Sequence, residues 1–172
     1  MKVNGYQIKE ALRRAKMLRD IYSDQFPDSI WRFEGDDTEG PEEVMGKFLK
    51  ADRALAELQA IQQWYNLQVE VVVSGEPMSL ALAVKLVGGA GRKEKFWKTA
   101  ATAKPETDRW SSAKKLTRTA DEQHAELVIS HADAASLASV ASTEVGALRD
   151  AISRGNTTEI DLGDRVLPTI DG

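Results

Sequence analysis

Ten cations and two tryptophans fall within residues 85–118 of this 172-residue chain. Arg92, Lys93, Lys95, Trp97 and Lys98 form one cluster, and Arg109, Trp110, Lys114, Lys115 and Arg118 form a second. Guanidinium and ammonium groups bind phosphate, and an indole offers a flat π surface on which a base can stack. The competing reading is that both indoles are core residues whose edges the cations cover. Asn156-Thr157-Thr158 adds amide and hydroxyl groups suited to a base or ribose, or to capping a helix end. The ligand residues expected on these grounds are Arg92, Lys95, Trp97, Lys98, Arg109, Trp110, Lys114, Arg118, Asn156 and Thr157.

The charge distribution sharpens that expectation. The chain carries 23 basic and 27 acidic residues, a net charge of −4. Residues 85–118 alone hold 10 basic and 3 acidic side chains, whereas residues 119–172 hold 3 and 10. A local positive region in an acidic protein suits a compact anion, a contact with the acidic C-terminal third, or an ordinary solvated face. Extended nucleic acid fits less well, because the rest of the protein would repel a polyanion.

Most enzyme chemistries lack their residues. There is no cysteine, so thiol nucleophiles, thiolate zinc sites and disulfides are excluded. His124 and His131 are seven apart, without a zinc-binding spacing. Asp36, Asp37, Glu39, Glu42 and Glu43 supply carboxylates for a divalent metal but not the alternating positions of an EF-hand, and they suit a solvated loop and helix start. Gly88-Gly89-Ala90-Gly91-Arg92-Lys93 places glycines before cations, yet it follows a helical stripe and lacks the P-loop ending. A close helix contact there, or a helix break with amides facing an anion, both stay open. No catalytic residue, metal or cofactor is expected.

The elements that must position these residues follow from periodicity. Ile8, Leu12, Ala15, Leu18 and Tyr22 predict a helix over 6–22. Pro27 then breaks the period, and Ser29 to Glu34 alternates like a strand. Pro41-Glu42-Glu43 marks a new start, and Val44, Phe48, Ala51, Leu55, Leu58, Gln62 and Tyr65 carry a heptad-like seam over 41–66 that should pack lengthwise on another helix. Val69–Val73 reads as a strand ended by Ser74-Gly75-Glu76-Pro77, and Ser79 as the cap of a third helix with stripe Leu80, Val84 and Val87. Lys114–Thr119 and Ala125–Ser130 could pair as a hairpin. A last helix is capped by Asp133, striped by Leu137, Val140 or Ala141, Val145, Leu148 and Ile152, and stopped by Gly155-Asn156. Thr157–Leu162 should be extended. The fold class is α-dominated α+β, with long paired helices, short β-strands and oligomeric helical packing, in a single domain over 1–162 with a flexible tail over 163–172. With no apolar signal core and no run of eighteen apolar residues, a cytoplasmic protein without membrane partners is expected.

The order of short motifs resembles the septicolysin-like family of small bacterial and phage proteins. The residues that carry it are Glu34 to Asp37, the Pro41-Glu42-Glu43 start, Met78 to Ala83, Arg109 to Lys114, and Asn156 to Glu159. Val87 to Gly91 depart from the family's more highly charged third helix. The resemblance implies long-helix association and therefore a homo-oligomer. No membrane-inserting segment accompanies it, so the haemolysin-like name carries no activity here.

Together these features predict a non-catalytic oligomeric binder of a small phosphorylated ligand. A phage sponge sequestering cyclic nucleotide or cyclic ADP-ribose-type immune signals in the host cytoplasm would suit them. The alternative is a helical protein–protein adaptor or virion-associated structural protein without any small ligand. A hydrolase using the acidic loop and a metal is the third possibility.

Overall fold

The computed structural model describes residues 1–31, 38–104 and 127–168. Within them the protein is helix-dominated, with short antiparallel strands in two small sheets. The elements are β1 (Lys2–Val3), α1 (Gly5–Ser29), α2 (Pro41–Gln68), β2 (Glu70–Val73), β3 (Glu76–Ser79), α3 (Leu80–Ala101), α4 (His131–Thr157) and β4 (Ile160–Asp161). The chain divides into two compact units, Met1–Ala83 with Asp150–Gly172, and Val84–Arg149.

The first unit is built on α1 and α2. Asn4 caps α1 reciprocally: its side chain accepts from the Gln7 amide at 3.0 Å, and the Gln7 side chain accepts from the Asn4 amide at 2.9 Å. This helix runs seven residues beyond the expected end at Tyr22 and includes Pro27 in its last turn. A proline so close to the C-terminus removes one amide bond without breaking the remainder, so Ser29 is helical instead of opening a strand, while Arg32–Glu34 of the expected strand lie outside the described residues. On α2, Val44, Ala51, Leu55, Leu58 and Tyr65 are buried as the seam predicts, joined by Ala54 and Ile61. The seam meets α1 of the same chain: Ala15 packs on Leu55 and Leu58, and Arg19 lies 4.0 Å from Asp52.

Ser74 and Gly75 do not simply end a strand. Both have positive φ, +52° and +91°, the backbone of a two-residue hairpin turn whose twist matches the strands. Val73 then pairs with Glu76 and Val72 with Pro77, so Pro77 sits inside β3, an edge strand that tolerates its missing donor. Ser79 caps α3 as expected, accepting from the Leu82 amide at 3.3 Å.

The C-terminal part of α4 closes this unit. Gly155 does not stop the helix, which continues to Thr157. It is a close-packing site: a Cβ there would lie 2.7 Å from Val71 and 3.0 Å from Leu80. The buried Tyr65 hydroxyl lies 2.8 Å from the carbonyls of both Gly155 and Thr158, with one proton to share between them. Burial raises the Tyr65 phenol above its ordinary pKa, while a bond from the Gly5 backbone acts in the opposite direction. β1 and β4 pair as Val3 with Ile160 and Lys2 with Asp161. Residues 163–168 are not a free tail, since Leu167 packs on the Ala15–Leu55–Leu58 cluster and the Arg165 guanidinium sits 4.4 Å over the Trp64 ring.

The second unit pairs the body of α3 with α4. Three contacts give an antiparallel register: Lys93 to Glu144 at 2.9 Å, Glu94 to Ser142, and the His131 Nε2 to the Ala103 carbonyl at 2.9 Å. Ser130 rather than Asp133 caps α4, because its hydroxyl accepts from the Asp133 amide at 3.0 Å. Asp133 instead accepts from that hydroxyl at 2.6 Å. The buried stripe is Ala134, Ala138, Ala141, Val145 and Leu148, leaving Leu137 and Val140 exposed.

Candidate binding face of the third helix

α3 passes through Gly88, Gly89 and Gly91 without a break. Each glycine costs a helix interior about 1 kcal/mol relative to alanine, an amount that neighbouring helical residues absorb. Added Cβ atoms would meet nothing within 4 Å at Gly89 or Gly91, and only an arginine tip at 3.8 Å at Gly88. Neither expected role holds: the glycines make no close helix contact, and no chain break aims their amides at an anion.

The expected ligand residues are distributed unevenly. Arg109, Trp110, Lys114 and Arg118 lie outside the described residues, as do Lys115, His124 and the expected strand at Lys114–Thr119. Leu127–Ser130, the described end of the other expected strand, has no strand structure. Arg92, Lys95, Trp97 and Lys98 stand on α3, but a helix turns about 100° per residue, so Trp97 lies nearly opposite Lys95, and Arg92 stands about 60° from Lys95 and about 140° from Trp97. Lys95 and Lys98 border a shallow hollow with Gly91, Glu94, Thr99 and Thr102, about 340 Å³ in volume. Arg92 and Trp97 border another with Gly89, Lys93, Phe96 and Ala100, about 470 Å³. Asn156 and Thr157 belong to the first unit. The Asn156 side chain lies against Gly5, and the Thr157 hydroxyl donates to the Arg154 carbonyl at 2.7 Å, as a helix-end side chain does.

Carboxylates already engage two of the cations. Lys98 donates to Glu94 at 2.6 Å. That bond, followed by one from Ser142, holds the Glu94 carboxyl below its usual range. Lys93 reaches both Glu144 oxygens, at 3.0 and 2.9 Å. Arg92 and Lys95 have no ion pair among the described residues. The exposed His131 serves the chain itself through Ala103. Among the described residues, no group of three His, Asp or Glu side chains could hold a metal. Of the acidic loop, Glu39 pairs with Lys47, and Glu43 lies 3.4 Å from the same ammonium.

Exposed apolar surface is the feature that sequence reasoning missed. Phe96 is 71% exposed, Val140 55%, Leu86 42% and Leu137 39%. The α3–α4 register puts Phe96 level with Val140 and Ala100 level with Leu137, on the side marked by Lys93 and Glu144. Leu86, Gly89, Lys93, Phe96 and Ala100 follow one another in alternating three- and four-residue steps. That spacing was the available signal, obscured because Gly89 and Lys93 interrupt its hydrophobicity.

No family model matches the chain, and neither a curated protein nor a solved structure does. The septicolysin-like resemblance rests on the short motifs alone, and two of these, Glu34 to Asp37 and Arg109 to Lys114, fall wholly outside the described residues. No helix among the described residues is long and apolar enough to cross a membrane.

Proposed function

We propose that the protein is a non-catalytic helical adaptor that associates through the outward face of α3 and its α4 flank. The observation that carries this reading is the convergence of Leu86, Phe96, Leu137 and Val140 on one exposed side of the second unit, while its buried positions are mostly alanine. A helix pair that places large apolar side chains in water gains by covering them, and such faces mark association surfaces. A photo-crosslinking residue at position 96, with a control at the exposed Lys50 of α2, tests it in expressing cells. The expected result is a discrete adduct from position 96 and none from position 50. No adduct from either removes the reading.

A second reading keeps a small phosphorylated ligand, such as a cyclic nucleotide or cyclic ADP-ribose isomer, sequestered by an oligomer. The hollow beside Arg92 and Trp97 favours it, because an indole and a guanidinium with no ion pair among the described residues both border it. Its test is the melting temperature across a panel of cyclic di- and trinucleotides and cyclic ADP-ribose isomers. A rise that disappears in Trp97→Ala supports this reading, and a flat panel removes it.

A further inference from the structure

We infer that the occupant of this face is a second copy of the chain, lying antiparallel along α3 about a two-fold axis beside Lys93. The inference rests on α3 being an association surface and names its partner. A two-fold axis at Lys93 pairs positions equidistant from it. Phe96 and Trp97 of one copy then face Ala90 and Gly89 of the other, and Ala100 faces Leu86. Large side chains meet small ones at each of these steps, as interdigitating helices require.

The space for this pairing exists in a single copy. A Cβ on Gly89 would meet nothing within 4 Å, and the hollow beside it measures about 470 Å³. The Phe96 ring projects into water with 71% of its surface exposed. Leu137 and Val140 extend the apolar face on the α4 side.

Charge permits the pairing. Lys93 is the one charged residue within the seam, and two lysines meeting on the axis would repel each other. Each is held 2.9 Å from its own Glu144, which offsets part of that repulsion. The patch is its own complement, which makes the contact isologous and closes it at two copies.

Sedimentation velocity of the full chain at tens of micromolar, with the variants Gly89→Leu and Phe96→Glu, tests this. Gly89→Leu replaces a helix-interior glycine, which maintains or strengthens the fold while filling the hollow. We expect a wild-type dimer whose dissociation constant rises roughly tenfold or more in either variant. A wild-type monomer at that concentration overturns the inference, as does a Gly89→Leu chain that dimerises unchanged. The crosslinker at position 96 separates the two levels. An adduct of twice the chain mass supports the second copy, an adduct of any other mass overturns it while leaving the association surface, and no adduct removes both.

Discussion

The two units handle their large side chains in opposite ways. In the first, Ile8, Leu58, Tyr65, Val69, Leu80 and Leu162 are fully buried, and the Tyr65 hydroxyl ties the end of α4 to α2. In the second, the buried stripe of α4 is mostly alanine, while Phe96 and Val140 face water. Burial of apolar area is the main favourable contribution to folding, so the first unit holds most of its own stability within the chain. The second leaves large apolar side chains in water, so it realises less of that gain within the chain. The glycines show the same contrast, since Gly155 is closely surrounded and Gly89 stands in open space.

The largest way to break this contrast is Leu58→Ala. Removing a fully buried leucine beside Ala15 and Leu55 should lower unfolding free energy by about 2–5 kcal/mol, read by urea denaturation. Gly155→Ala is next. The added methyl would meet Val71 at 2.7 Å, and overpacking of about 1–3 kcal/mol should outweigh the roughly 1 kcal/mol gained in helix propensity. Tyr65→Phe leaves two carbonyls without their shared donor and should cost about 1 kcal/mol, measured the same way.

Gly89→Ala should go in the opposite direction. With nothing near the new methyl, thermal unfolding should show a gain of up to about 1 kcal/mol. A loss at Gly89 equal to that at Gly155 would erase the distinction between the units.

The smallest effect is electrostatic. Bonds from Arg13 and then Arg14 hold the exposed Glu10 carboxyl down to about 2. A folded-state pKa below the unfolded one contributes stability that is fully present above the ordinary glutamate pKa. It is lost as pH falls through the folded value, here between about 4.5 and 2. Carboxyl chemical shifts followed by NMR should place the Glu10 midpoint near 2 in wild type and nearer its ordinary value in an Arg13→Ala, Arg14→Ala variant.

Local signals proved legible where one residue type does one thing. Pro41-Glu42-Glu43 starts α2, Ser79 caps α3, and Val69–Val73 contains a strand. Positions whose meaning depends on a neighbour were not legible. Ser130 and Asp133 are both good caps, and the bonded geometry selects Ser130. Pro77 reads as a terminator until its strand is seen to be an edge. Half of the expected ligand cluster in residues 92–118 lies outside the described residues. The other half shows that nearness in sequence is not convergence, because a helix distributes successive residues around its axis.

Composition and periodicity by themselves determined the α-dominated class, the seam of α2 and the concentration of cations on α3, because these depend only on residue type and spacing. Tertiary structure alone decided what that seam faces, which glycine is crowded, and that Phe96 and Val140 stand level on an uncovered side. Each of those is set by contacts between residues far apart in the chain, and their distances are fixed only once the helices have packed.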